Sequence, residues 1–222
     1  MTEKAKIREI FTSIQGEGPY VGIKQLFIRY CGCNLSCKYC DTEYDSKNGK
    51  FCTVSDLITE ANRHLDCHSV SLTGGEPLLH INFLKEFLPF SPLPVYLETN
   101  ATLADELKQI ICFVDYVSAD IKLPSCTQIP ALWDKHERFF SVASDKDLFA
   151  KVVFNKNITD EEITKTVRLA SKYNIPIILQ PEFKSEKMNV DINTMQTVFD
   201  KFLAEYDKVR LIPQTHKFLN VR

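Results

Sequence analysis

The chain has 222 residues, 44% of them hydrophobic and 25% charged, with a formal net charge of −2. That size fits one domain, or two small ones, able to bury a core without covalent staples, and the composition excludes wholesale disorder. The balanced charge removes the electrostatic case for coating nucleic acid, and no apolar run approaches the roughly 18 residues of a membrane span. The opening MTEKAKIREIF lacks the apolar segment of a secretory signal, so a reducing, cytoplasmic setting is expected.

In chain order, the glycines stand out first. All seven lie in the first 75 residues, six of them in QGEGPYVG, CGC and TGGEP. Glycine serves where backbone takes positive φ or must approach a ligand closely, and its concentration beside cysteines and carboxylates marks ligand-contacting loops. Apolar, β-rich runs at 26–30, 69–72, 95–98, 116–119, 150–154, 176–179 and 208–212 read as strands. Helical spacing fills the intervals. Residues 53–65 place Val54, Leu57, Ile58 and Ala61 on one face, a second helix runs from a cap at Thr159 or Asp160 to about 173, and a third spans 193–205. Pro89, Pro92 and Pro94 make a stiff connection, not a boundary, so one domain is expected over 1–222, with a cysteine loop at 31–42 and a tail at about 213–222.

Strands alternating with helices imply an α/β protein with a largely parallel sheet. The polar motifs sit at strand ends: the cysteines, TGGEP, ETN, SADIK and QPEF. A β/α barrel gathers such ends on one face, as does an open doubly wound sheet. Six or seven units are few for a closed eight-stranded barrel, so a partial, open β/α barrel of about six parallel strands with helices outside is the expected fold.

Cys33, Cys37 and Cys40 form C-x3-C-x2-C in a glycine-bearing loop. A structural zinc needs four ligands, and Cys31 is a cramped fourth, two residues from Cys33. A disulfide does not suit the compartment. A four-iron cluster, normally held by four cysteines, would keep one iron open on three. Cys31 reads as a bystander. Cys52, Cys67, Cys112 and Cys126 are too scattered for a second cluster and read as small buried hydrophobes.

The triplet, with Tyr39 before its last cysteine and Gly74-Gly75-Glu76-Pro77 after the second strand, resembles the two motifs of the radical S-adenosylmethionine (SAM) superfamily in their order. The resemblance implies one 4Fe-4S cluster on Cys33, Cys37 and Cys40, with SAM on the open iron and a 5′-deoxyadenosyl radical as the reactive species. REIFTSIQGEGPYVG, CDTEY and the ending PQTHKFLNVR further resemble the 7-carboxy-7-deazaguanine synthase family over about residues 7–222. That family serves queuosine and other deazapurine biosynthesis. Its reaction contracts the ring of 6-carboxy-5,6,7,8-tetrahydropterin to 7-carboxy-7-deazaguanine with loss of ammonia, using SAM catalytically.

By the same resemblance, Ile14, Gln15, Gly16, Glu17, Arg29, Thr73, His216 and the C-terminal carboxylate on Arg222 contact substrate. Gly74, Gly75, Glu76, Ser118, Ala119, Asp120, Gln180, Pro181, Glu182 and Phe183 contact SAM. Thr42 binds Mg2+, with Asp41 in reserve, and Asn100 is a further reserve. The side chains suit these roles. Gln15 and Glu17 offer acceptors to the donor-rich edge of a pterin, and Arg29 is a bidentate partner for its carboxylate. Implied partners are the pterin, a one-electron donor such as flavodoxin or ferredoxin, and a second copy in a homodimer, with no nucleic acid and no membrane. Two other readings stay open: a radical SAM enzyme activating a glycyl site on a protein, and a non-catalytic zinc protein.

Overall fold

The structure is a computed structural model that describes residues 3–38, 40, 49–184 and 187–221. Its strands are β1 (Lys4–Ile14), β2 (Lys24–Tyr30), β3 (Lys50–Thr53), β4 (Ser69–Gly74), β5 (Val95–Thr99), β6 (Tyr116–Asp120), β7 (Asp147–Phe154), β8 (Ile177–Pro181), β9 (Phe183–Lys184), β10 (Lys187–Met188) and β11 (Val209–Leu211). Nine of them form one sheet in the order β11-β8-β7-β6-β5-β4-β2-β1-β3, and β9 pairs β10 apart from it. From β2 to β11 every pairing is parallel, while β1 and β3 add an antiparallel edge. The sheet is an open, partial β/α barrel. Its parallel strands number seven, one for each apolar run read as a strand, against the about six expected of the barrel.

Helices α1 (Val54–Asn62), α2 (Ile81–Phe87), α3 (Ala104–Lys108), α4 (Pro124–Thr127), α5 (Trp133–Ala143), α6 (Asp160–Lys172) and α7 (Ile192–Glu205) fill the crossovers, and α8 (Thr215–Leu219) lies in the tail. The three expected helices form, each with a side-chain cap. Thr53 and Thr159 make reciprocal capping boxes with Asp56 and Glu162, and Asp191 accepts from the Thr194 N–H. The outer face of the sheet carries Val70, Leu72, Val95, Leu97, Val117, Ala119, Ala150, Val152, Ile177 and Leu179, all buried in one core with the helices. Parallel strands covered by crossover helices read as continuous apolar runs for this reason.

The alternate residues face the barrel interior. Near the strand beginnings this face is aromatic and apolar: Tyr96, Phe149 and Ile178 pack with Tyr20, Tyr116 and Ile212. Toward the strand ends it is polar, with Arg29, Thr73, Glu98, Ser118, Asp120, Lys151 and Gln180. Cys67 and Cys126 are buried as expected and Cys52 is half-buried, but Cys112 is exposed. It sits in a single turn, Ile111–Phe113, where only Ile111 packs on the core.

Candidate active site

The polar strand ends open into one cleft, and the three expected cysteines line it. Their loop is pinned on two sides. Asn34 Nδ2 donates to Thr102 Oγ1 at 2.9 Å, and the Lys38 N–H donates to the Thr127 carbonyl at 3.0 Å. Asn100 reaches in from the end of β5, donating to Asn34 Oδ1 at 2.7 Å and to Cys33 Sγ at 3.8 Å. Burial raises the pKa of Cys33 and Cys37, while the nearby Lys122 charge works in the opposite sense. Cys31 is buried and outside the lining, with its sulfur on the side of Gly49 and Lys6.

The GGE segment is pressed against this loop. A Cβ on Gly75 would lie 1.8 Å from the Gly32 carbonyl oxygen, and Gly74 has φ +114 with the Tyr30 carbonyl 2.3 Å from a Cβ position. Gly75 thus lies close against the backbone of the cysteine loop and Gly74 against the end of β2, while both line the cleft. Glu76 turns inward, fully buried, and accepts from Thr99 Oγ1 and from the Asn100 and Leu78 N–H groups. Burial, only partly offset by those donors, raises its pKa to about 7.

Gln15, Gly16, Glu17, Arg29, Thr73 and His216 come together across the cleft, and Ile14 borders it. The Gln15 amide is tied down from both sides: Nε2 donates to Gln25 Oε1 at 2.9 Å and Glu98 Oε1 at 3.0 Å, and Oε1 accepts from the Glu17 N–H at 3.0 Å. Glu98 also accepts from Ser71 and from Thr73 Oγ1 at 3.1 Å. Arg29 Nε lies 3.0 Å from Glu9 Oε1, and its guanidinium sits over Phe11.

Glu17 is held by Lys151 Nζ at 2.5 Å, Gln214 Nε2 at 2.7 Å and Gln180 Nε2 at 3.4 Å. Burial alone would raise its pKa, but the Lys151 charge and the hydrogen bonds from Lys151 and Gln214 bring it down to about 2. The tail closes over the same loop. The Thr215 N–H donates to the Gly16 carbonyl at 2.8 Å, and His216 Nδ1 stands 2.2 Å from where a Gly16 Cβ would be.

Of the residues expected around SAM, Gly74, Gly75, Ser118, Asp120, Gln180 and Phe183 line the cleft. Glu76, Ala119, Pro181 and Glu182 do not line it. Ala119 faces the helices, as strand alternation requires, and Glu182 accepts from Asn155 and Asn189. Tyr39, Asp41, Thr42 and Arg222 lie outside the described residues.

The Radical SAM superfamily model matches residues 27–186. A 7-carboxy-7-deazaguanine synthase of Geobacter sulfurreducens is 37% identical over 97% of both chains. One of Archaeoglobus fulgidus is 33% identical, covering 99% of this chain and 100% of its own. The chain belongs to the radical SAM superfamily and its 7-carboxy-7-deazaguanine synthase family. A crystal structure of QueE from Escherichia coli shares the fold, with a TM-score of 0.67, 20% identity and coverage of 96% of this chain and 95% of the other.

The residues present fit a radical SAM chain's cofactors. Three thiols lining one cleft beside an amide donor are a donor set for a cluster with one iron left open. Asp120 Oδ1 and Gln180 Oε1 are buried in the cleft without a hydrogen-bond partner. Such acceptors suit the ammonium and hydroxyl donors of SAM.

Sequence reasoning missed Glu98, Lys122, Lys151 and Gln214 in this lining. Lys151 had a signal: it is the lone charge within the apolar run LFAKVVF.

Proposed function

We propose that this chain converts 6-carboxy-5,6,7,8-tetrahydropterin to 7-carboxy-7-deazaguanine and ammonia, with one 4Fe-4S cluster, catalytically used SAM and Mg2+. The observation that carries this reading is the meeting of the Gln15–Glu17 loop, Arg29 and the tail residues Gln214 and His216 with the three cysteines in one cleft. When bound, the cluster and SAM supply the one-electron chemistry that opens the reaction. Cys33, Cys37 and Cys40 hold the cluster, and Ser118, Asp120 and Gln180 bind SAM. Glu17 accepts from the donor edge of the pterin, and Arg29 takes the pterin carboxylate in its fork. Thr73, held by Glu98, borders the same ligand, and His216 closes over it with the tail. Thr42 as the magnesium ligand and Arg222 as a further substrate contact complete the reading, outside the described residues.

The same reading makes the chain one domain, a homodimer, and a cytoplasmic enzyme reduced by a flavodoxin or ferredoxin. Among the described residues no helix is long and apolar enough to cross a membrane.

Anaerobic turnover of reconstituted protein with reductant, SAM, Mg2+ and the pterin, read by mass spectrometry, tests the proposal. The expected result is 7-carboxy-7-deazaguanine with SAM largely unconsumed. SAM cleavage with the pterin untouched would refute the substrate and favour a protein-activating role. Glu17→Gln is expected to weaken pterin binding with the iron load unchanged. Unaltered affinity would remove Glu17 from the site.

A further inference from the structure

Lys151 lines the cleft and has no role toward substrate or cofactor in the proposed function. It stands midway along β7 with its side chain pointing into the barrel, 9% exposed. Its ammonium group touches Glu17 Oε2 at 2.5 Å and lies 3.6 Å from Asp120 Oδ2, which Lys122 also holds at 2.7 Å. Burying an ammonium is costly unless it is paired, and this one is paired across the barrel to a loop 134 residues earlier in the chain.

We propose that Lys151 is a positioning residue for substrate: it sets the place and charge of the Glu17 carboxylate that receives the N–H edge of the pterin. The inference rests on the proposed reading of Glu17 as a substrate contact. Gln214 and His216 face Glu17 from the tail, Gln180 from β8 and Tyr96 from β5, while Asp120, Lys122 and Glu98 face Lys151 from β6, the loop after it and β5. Lys151 is the lysine that donates to the Glu17 carboxylate, through Oε2. Gln214 and Gln180 donate to the other oxygen, so Lys151 fixes the rotation of the group and neutralises it at once. Its removal leaves a buried carboxylate without its lysine partner, which favours uptake of a proton and loss of the acceptor a pterin N–H requires.

The test uses anaerobically reconstituted enzyme with SAM bound, and reads the dissociation constant of 6-carboxytetrahydropterin for wild type, Lys151→Met, Lys151→Arg, Glu17→Gln and the double variant. Lys151→Met is expected to weaken binding about tenfold or more. Its deficit relative to wild type should widen from about pH 8 to about pH 5.5, as the unsupported Glu17 takes up a proton. Lys151→Arg should recover most of the affinity. In the Glu17→Gln background, Lys151→Met should change affinity by less than about twofold, because its effect passes through Glu17. Iron load and the reduced-cluster EPR signal should match wild type throughout, which separates a positioning role from a folding defect. Wild-type affinity in Lys151→Met, or an undiminished effect in the Glu17→Gln background, would overturn the inference. Failure of the wild-type enzyme to bind the pterin would instead remove the proposed function, and this inference with it.

Discussion

Cys31 and Cys33 stand two positions apart in one loop, yet their sulfurs face different surroundings. Strand pairing decides it: the Cys31 N–H still donates to the Lys6 carbonyl at 2.9 Å, so Cys31 keeps the inward-packed geometry of β2 while Cys33 has left the sheet for the cleft. Cys33→Ala is therefore expected to abolish SAM cleavage, and Cys31→Ala to keep both cleavage and a normal iron content. Loss of iron on Cys31→Ala would contradict this ligand set. Glu76, a motif residue, turns its carboxylate inward to Thr99 and Asn100. Its pKa lies at about 7 against the usual 4.5, so protonation favours the folded state. The stability it confers is fully present below about pH 4.5 and is lost as pH rises to about 7, on the order of 3 kcal/mol. A thermal-unfolding series should show that slope in wild type and a flatter one in Glu76→Gln. Equal slopes would mean that Glu76 is ionised throughout. Three of the four residues missed in the sequence share one cause. Glu98, Lys122 and Lys151 are charges that face the interior of a barrel, and in a lone sequence such charges mostly look like those that face water, Lys151 alone standing out within its apolar run.

At the scale of elements, all seven parallel strands were legible, because burial on both faces leaves continuous apolar runs. β1 was not. A register shift between Ile7 and Glu9 breaks its alternation, so Ala5 and Ile7 follow one phase and the residues beyond another. β3, β9, β10 and α8 are too short to carry a period. The helices were legible where caps mark them. Removing the hydroxyl in Thr159→Ala takes away the acceptor of the Glu162 N–H while the residue-159 N–H still donates to the Glu162 carboxylate, and should cost about 1 kcal/mol, a fall of about 2–4 °C in Tm. Gly75→Ala belongs to the same scale, since the added methyl group must push apart the two loops that face the cluster position. It should destabilise the fold by about 2 kcal/mol or more, seen in chemical denaturation, whereas a neutral outcome would mean that the loops can part freely.

The whole molecule joins its two extremes at one place. Residues 15–17 and 214–216 meet through the Gln214–Glu17 and Thr215–Gly16 hydrogen bonds, and neither partner belongs to the seven-stranded parallel core. A chain cut after Ile212 is expected to retain the sheet by circular dichroism and the iron load, and to lose pterin affinity. Retained affinity would show that the tail only covers the site. The same contact orders events during synthesis. Residue 15 leaves the ribosome before the seven parallel strands and residue 214 after them, so the nascent sheet can form while one wall of the cleft is still missing. The cleft gains that wall only once synthesis has passed residues 214–216.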